Sequence, residues 1–208
     1  MKRKTIAALI AVLTVGMSTS VWAAPSISQI IPEAPVVVSG NLTGGQTLVV
    51  TNVNTNAYKD TTVAEVVKKA NDDNTVTTVK EILTELKVDT KKEEVETTTG
   101  TKVNPALYEQ VTPFVDLAIK EGDKTTLEST GAVTATITVD AVKEMEKKDV
   151  LLMQIDPSSG KVFFVAPEKM DKATGEITAT FQTLGPVAVL KTVPIVVKET
   201  APEKYENE

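Results

Sequence analysis

Two loops carry an oxygen-rich pattern of the kind that can bind a metal ion. The loops that begin at Asp156 and Asp171 both read Asp, three residues, Gly, a charged residue and a β-branched aliphatic. Together with Glu168 and Glu176, these two Asp could supply the hard oxygen ligands that calcium takes. The same pattern describes hairpin turns, in which Asp bonds its own backbone and Gly adopts a positive φ. We favour turns, because an EF-hand loop needs more acids, and we predict no metal and no cofactor.

Paired carboxylates are the one catalytic chemistry that the composition leaves open, since a glycosidase mechanism needs only two acids. None of the acids stands in a distinctive motif, and aromatic residues, which would stack on sugar rings, make up only 4% of the chain. We therefore predict that the protein is not an enzyme and name no catalytic residue, with a carboxylate-dependent glycan hydrolase as the alternative. The candidate acids for that alternative are Asp116, Glu121, Asp123, Asp140, Glu144, Glu146 and Asp149.

Missing residue types exclude several other mechanisms. The 208 residues include no His and no Cys, and Arg3 and Trp22 are the only residues of their types. Without His or Cys, the chain has no imidazole base, no thiol nucleophile and no zinc site of the Cys/His type. With no Arg beyond residue 3, it also has no bidentate guanidinium clamp for phosphate or carboxylate groups.

The first 23 residues have the features of a secretory signal peptide. Lys2, Arg3 and Lys4 precede an apolar stretch from Ile6 to Val15, and small or modest side chains lead to a cleavage site after Ala23. Three of the 22 basic residues and none of the 28 acidic ones lie in this segment, so the mature chain would carry a net charge of −9. That charge disfavours nucleic acid as a partner. We predict a secreted, extracellular protein with no membrane span after cleavage.

The next segments predict a small N-terminal module. Residues 24–35 contain three Pro and read as an extended leader. Within residues 36–90, two β-branched runs flank a Gly-Gly pair, which predicts a β-hairpin. Two short amphipathic helices follow, each with a Thr and a Glu at capping-box spacing, at Thr62 and at Thr78.

The C-terminal half predicts an antiparallel β-sandwich over residues 103–192, joined to the N-terminal module by a charged, Thr-rich linker at residues 91–102. Phe163 and Phe164 are adjacent in one strand, so we expect one ring in the core and the other outside it. Residues 193–208 are rich in Lys, Glu and Pro and predict a disordered tail. The fold class is therefore α+β. The predicted strands cover residues 114–119, 133–139, 150–155, 161–166, 176–182 and 186–190.

Several segments between Tyr58 and Leu190 carry a resemblance to known proteins. They are Tyr58-Lys59-Asp60 with the helix start at residues 62–67, Leu151 to Pro157, Gly175 to Phe181, and Leu184 to Val187. In these segments the chain resembles uncharacterised secreted proteins of anaerobic, gut-type Firmicutes. Its closing segment is similar to the final hairpin of Ig-like surface modules of the ZU5 type. The resemblance implies a fold and a location, and it implies no activity and no functional residues.

Taken together, these observations predict a secreted, non-enzymatic binding or structural module, extracellular or associated with the bacterial cell envelope. Its partner would be an extracellular protein or a glycan whose identity the sequence does not give. The further alternative is an accessory subunit of another exported protein, which would present an exposed apolar patch on the order of several hundred Å².

Overall fold

The computed structural model describes residues 36–39, 42, 45–72, 78–89, 94–128 and 131–193. The predicted signal peptide and leader (residues 1–35) and residues 194–208 of the predicted tail lie outside the described residues. Val193, the first residue of that predicted tail, is described, and its N–H donates to the Leu107 carbonyl at 2.7 Å. The described strands are β1 (Val36–Ser39), β2 (Gln46–Asn52), β3 (Val95–Glu96), β4 (Lys102–Val103), β5 (Tyr108–Gln110), β6 (Val115–Glu121), β7 (Lys124–Thr126), β8 (Val133–Thr138), β9 (Val150–Ile155), β10 (Val162–Val165), β11 (Lys169–Asp171), β12 (Glu176–Phe181) and β13 (Gly185–Thr192), and the helices are α1 (Thr61–Ala70) and α2 (Val79–Glu85).

Two antiparallel sheets form a β-sandwich-like core. The four-stranded sheet has the order β1-β8-β12-β11, and the seven-stranded sheet has the order β10-β9-β13-β6-β2, with β5 paired to β13 and β7 paired to β6. Alternate residues of β8 and β12 are buried, as expected for strands with one face in a core. Their apolar side chains pack against the inner face of the seven-stranded sheet, where the buried residues include Leu48, Leu117, Ile119, Leu152, Val187 and Val189.

The two helices cover the other face of the seven-stranded sheet. Val63, Val66 and Val67 of α1 form one apolar stripe, and Val79, Ile82 and Leu83 of α2 form another. Both stripes pack on a second apolar cluster that includes Leu151, Met153, Ile155, Phe164, Ala188 and Leu190. The molecule is thus α+β, as predicted, and the helices lie on the sandwich instead of forming a core of their own.

The two strands predicted to form an N-terminal hairpin do not pair with each other, so that prediction is wrong. β1 pairs with β8 in one sheet, whereas β2 pairs with β6 in the other, residue for residue from Gln46↔Glu121 to Asn52↔Val115. The physical reason is burial: pairing with β6 places Leu48 and Val50 in the core between the sheets, which a two-stranded hairpin could not provide.

The helix starts were predicted in part. In α2, the Thr78 hydroxyl accepts from the Glu81 N–H and the Glu81 carboxylate accepts from the Thr78 N–H, so the predicted capping box is confirmed. In α1 the N-cap is Asp60, whose carboxylate accepts from the N–H groups of Thr62 and Val63. Thr62 is therefore inside the helix, and the predicted capping box with Glu65 does not form.

The segment predicted as a linker contains the small β3–β4 ladder. The Thr98 N–H, at the turn of that ladder, donates to the Phe164 carbonyl on β10 at 2.9 Å. Phe164 itself is buried in the helix-side cluster, while Phe163 is half-buried on the opposite side of β10. The two rings therefore lie on opposite faces, as predicted, but Phe163 packs against the core between the sheets and is not outside it. No helix in the described part of the chain is both long and apolar enough to cross a membrane.

Candidate functional site

Asp116 is the candidate acid with the most unusual surroundings. It lies on β6 on the side of the helices, and only 1% of it is exposed. Its two carboxylate oxygens accept separate hydrogen bonds, one from the Tyr58 hydroxyl at 2.6 Å and one from the Asn54 N–H at 2.8 Å. Both donors belong to the connection between β2 and α1, so the carboxylate fastens this connection to the sheet.

Burial governs the protonation of this pair. Burial raises the pKa of Asp116, because a charged carboxylate loses its hydration there, and the bonds from Tyr58 and the Asn54 N–H only partly offset this effect. The pKa of Tyr58 is also raised, first by burial and then by the charge and hydrogen bond of Asp116. Tyr58 therefore stays protonated and donates its hydrogen bond throughout the ordinary pH range.

Asn71 fastens the other end of α1 to the same stretch of chain. Its side-chain amide donates to the Phe114 carbonyl at 2.9 Å and accepts from the Phe114 N–H at 2.7 Å. Phe114 precedes β6 by one residue, and Asp116 follows two residues later. Both ends of the first helix are thus held by residues 114–116, through groups that would otherwise be buried without a hydrogen-bond partner.

The Asp156 loop holds the start of α1 as well. The Pro157 carbonyl accepts from the N–H groups of Lys59 and Asp60, both at 3.0 Å. Gly160 follows with a φ of +70°, and a Cβ at that position would lie 3.2 Å from the Asp60 carboxylate. The loop therefore acts as a docking point for the helical layer, which the sequence pattern alone did not indicate.

Both Asp-Gly loops are hairpin turns, as the turn interpretation predicted. The Asp156 carboxylate accepts from the Ser158 N–H and from the hydroxyls of Ser158 and Ser159. Burial alone would raise the pKa of Asp156, but these Ser donors together lower it. In the other loop the Asp171 carboxylate accepts from the Ala173 N–H at 2.8 Å. Among the described residues, no three acidic side chains lie together in an arrangement that could hold a metal ion.

The remaining candidate acids lie on the surface, where several of them contact a Lys or an amide. Glu121 accepts from Gln46, and ion pairs join Asp140 to Lys143 and Glu146 to Lys172. Asp123 and Glu144 are exposed, and Asp149 is half-buried near Tyr108. Asp116 alone is buried, and its bonds to Tyr58 and Asn54 occupy the oxygens that a general acid would use.

Gln154 is a polar residue of the core that the sequence analysis did not single out. It is fully buried on β9, donates to the Thr183 carbonyl at 2.6 Å and accepts from the Gln182 N–H at 2.9 Å. These two backbone groups belong to the connection that crosses from β12 in one sheet to β13 in the other. The sequence feature that could have identified Gln154 is its position as the single amide side chain in the apolar run of residues 150–155.

Ser158 and Lys161 have the Ser-x-x-Lys spacing of a serine nucleophile with a lysine base, which the sequence analysis missed. The structure does not pair them. The Ser158 hydroxyl donates to Asp156, and the Lys161 ammonium lies 4.7 Å from the centre of the Phe163 ring, in a cation–π contact. Ser158 is therefore part of the turn, Lys161 lies just before β10, and the two side chains do not form a nucleophile and base pair.

A small cavity lies between the two sheets and is lined by apolar residues with Thr112 and Thr138. Its volume is about 20 Å³, which is room for about one water molecule. Binding sites for small molecules usually have volumes of roughly 300–1,000 Å³, so this cavity is a packing void and not a ligand site.

Comparisons with known protein families, with curated proteins and with solved structures found no match to this chain.

Proposed function

We propose that this chain is a secreted, non-enzymatic module that binds to, or forms part of, structures outside the cell or at the bacterial cell envelope. The proposal rests on the signal-like first 23 residues, the missing catalytic residue types and the use of the buried polar groups. Its partner would be an extracellular protein or a glycan.

The observation that carries the proposal is that polar side chains in the interior, buried or half-buried, hold layers together. The buried Asp116 and the half-buried Asn71 fasten the helical layer to the seven-stranded sheet, and the buried Gln154 fastens the connection between the sheets. All three bond to backbone groups or to another buried side chain. A fold whose interior hydrogen bonds join its layers suits a rigid scaffold. The outer surface of such a scaffold would make the contacts with a partner.

The hydrolase alternative has less support. A retaining or inverting glycosidase needs two carboxyl groups about 5–10 Å apart on either side of the substrate bond. The most shielded candidate, Asp116, is covered by the connection from β2 to α1. The other candidate acids named above are exposed, except for the half-buried Asp149. The accessory-subunit alternative predicts an apolar surface patch, and the exposed large apolar side chains of the described part are Leu107 and Val193.

We further propose that the sandwich is related to the Ig-like surface modules of the ZU5 type and to the secreted Firmicutes proteins that the sequence resembles. The antiparallel two-sheet architecture supports this relation, as does the central position of the closing strand, β13. A solved structure of one of those proteins would test it. The helical layer on the outer face of the seven-stranded sheet should then recur in that structure.

Co-sedimentation tests the binding function most directly. The purified chain is mixed with intact cells of bacteria that produce this protein, with purified peptidoglycan or with insoluble plant or host glycans. Each mixture is prepared with and without calcium. We expect the chain to sediment with one of these materials, and we expect the bound amount to saturate as the concentration of the chain rises. A variant with Val67→Asp, which places a charge in the helix-side core, controls for binding by unfolded chain.

Two results would contradict the proposal. A chain that stays in the supernatant with every material is not an envelope or insoluble-glycan binder, and turnover of any glycan or peptide in a substrate panel shows an enzyme.

Export is tested separately: the intact mass of the protein in the culture medium should correspond to a chain that begins at Ala24, and retention of residues 1–23 would contradict secretion.

A further inference from the structure

β2 differs from every other outer strand of the two sheets in the described part of the chain. It is seven residues long and pairs with β6 without a register shift, whereas β1, β5, β7, β10 and β11 have three or four residues each. The edge of β10 receives a hydrogen bond from Thr98, and β1 has a register shift between Val37 and Ser39.

Protein sheets usually protect their edges with short strands, bulges, Pro or charged side chains, since an open edge pairs with other strands. The central residues of β2, Thr47 to Thr51, contain no Pro and no charged residue. No described strand pairs with the outer side of β2, because β6 lies on its inner side and β13 and β7 lie beyond β6. The edge is thus long, regular and uncharged.

The sequence of this edge is self-complementary. Thr47-Leu48-Val49-Val50-Thr51 has a Thr at each end and aliphatic residues between them. If two copies pair antiparallel about a two-fold axis at Val49, Thr47 lies opposite Thr51 of the other copy and Leu48 lies opposite Val50. Thr–Thr and aliphatic pairs are favourable across antiparallel strands, and no like charges meet.

This register also keeps the faces of the sheet aligned. Leu48 and Val50 point into the core between the sheets, and Thr47, Val49 and Thr51 point to the other side. Residues directly opposite each other share a face, so a shift by one residue would set Leu48 against Val49 and mix the faces.

We infer that β2 is an interface for a second copy of this chain, in which two β2 strands pair antiparallel and join the seven-stranded sheets into one continuous sheet. Such an interface is isologous, because the same strand serves both copies. The inference does not depend on the function proposed above.

Sedimentation velocity of the purified chain over a range of concentrations tests this inference, with two double variants as a matched pair. Thr47→Lys with Thr51→Lys places like charges opposite each other twice, and should raise the dissociation constant of the dimer at least about tenfold. Thr47→Lys with Thr51→Glu places opposite charges there, and should retain the dimer. Far-UV circular dichroism checks that both variants fold.

A cysteine variant tests the register independently, because the chain has no Cys of its own. Val49→Cys places the two thiols next to each other at the two-fold axis, so mild oxidation should give a covalent dimer. Thr125→Cys, at an exposed position of β7, is the matched control and should stay monomeric.

Three results would overturn the inference. A dimer that forms equally well with both Lys substitutions uses another surface, and failure of Val49→Cys to cross-link excludes this register. A chain that is monomeric at every concentration does not use this interface. If deletion of residues 194–208 then produces the dimer, that segment occupies the edge in the full chain, which also overturns the inference.

Discussion

Asp116 and Gln154 are polar residues inside apolar runs, and both are buried because their strands lie in the central sheet, which is covered on both sides. Each bonds to a connection that passes from one layer to another: Asp116 to the connection between β2 and α1, and Gln154 to the connection between β12 and β13. Irregular connections leave backbone groups that need partners when they are buried. These two side chains supply such partners.

The first prediction concerns Asp116→Asn and pH. Burial raises the pKa of Asp116 in the folded state above its ordinary value of 3.8, so the folded chain holds this proton more tightly than the unfolded chain. The resulting stabilisation is present below pH 3.8 and is lost as the pH rises through the folded-state pKa. The free energy of unfolding of the wild type, minus that of Asp116→Asn, should therefore fall with rising pH.

Urea unfolding of both proteins between about pH 3 and pH 7 measures this difference. Asp123→Asn, in the exposed turn between β6 and β7, controls for the loss of one negative charge. A difference that grows with pH would show that the hydrogen bonds from Tyr58 and Asn54 outweigh the cost of burial.

The second prediction compares two glycines that both have a positive φ. At Gly175, where φ is +78°, a Cβ would lie 2.9 Å from the Val139 carbonyl oxygen, whereas at Gly122, where φ is +59°, a Cβ would meet nothing within 4 Å. Each substitution by Ala costs about 1–2 kcal/mol for the left-handed backbone. Gly175→Ala should cost more than Gly122→Ala in thermal and chemical unfolding, because the Val139 backbone must also move. Equal costs would show that the Asp171 loop relaxes freely.

At the scale of elements, short helices depend on their ends and on the surface beneath them. α1 has ten residues and α2 has seven, lengths at which isolated helices are not stable in water. Their stability comes from the valine and leucine stripes on the sheet and from the side-chain bonds at their ends. Lys69 of α1 also forms an exposed ion pair with Glu85 of α2, which adds little on its own.

The third prediction distinguishes the observed N-cap of α1 from the one that the sequence indicated. Asp60→Ala removes the acceptor of the Thr62 and Val63 N–H groups and should lower the free energy of unfolding by about 1 kcal/mol. Thr62→Ala should change it by no more than about 0.5 kcal/mol, because the half-buried Thr62 lies inside the helix and the N-cap is Asp60. The same urea titration measures both variants. A larger loss from Thr62→Ala would restore the capping box that the sequence suggested.

At the scale of the whole molecule, the seven-stranded sheet is shared by two cores. On β9, Leu152 faces the four-stranded sheet, while Leu151 and Met153 face the helices, and all six residues of the strand are buried. The same alternation occurs on β13 between Val189 and its neighbours Ala188 and Leu190. Strands with two covered faces couple the layers, so we expect the chain to unfold as one unit.

The fourth prediction tests this coupling with Leu152→Ala and Met153→Ala. Each opens a cavity in one core and should cost about 2–5 kcal/mol. Both variants are made without residues 1–23, which contain Trp22, so that the fluorescence comes from tyrosine, and two of the three Tyr, Tyr58 and Tyr108, lie on the helix side. Tyrosine fluorescence and far-UV circular dichroism should then give the same single transition. If the fluorescence change in Met153→Ala came first, the helical layer would be a separate unit.

Much of the secondary structure could be predicted, and most of its assembly could not. The strand at residues 150–155, the two Asp-Gly turns and the α2 capping box follow from local patterns, and the structure contains each of them. The partner of β2 and the layer covered by the helices depend on contacts between residues far apart in the chain. The role of Asp116 could not be predicted for the same reason, because its partners Tyr58 and Asn54 lie 58 and 62 positions away from it in the sequence.

The sequence by itself determined the residue types that are missing, the period-two and helical runs, and the turn chemistry, because each of these depends on neighbouring residues. Only the tertiary structure decided that β1 and β2 join different sheets and that Asp116 is an anchor. The reason is that burial belongs to the assembled layers. An Asp on a strand with one open face would be an ordinary surface charge. The helical layer covers this face of β6, and Asp116 therefore becomes a buried link between the helical layer and the seven-stranded sheet.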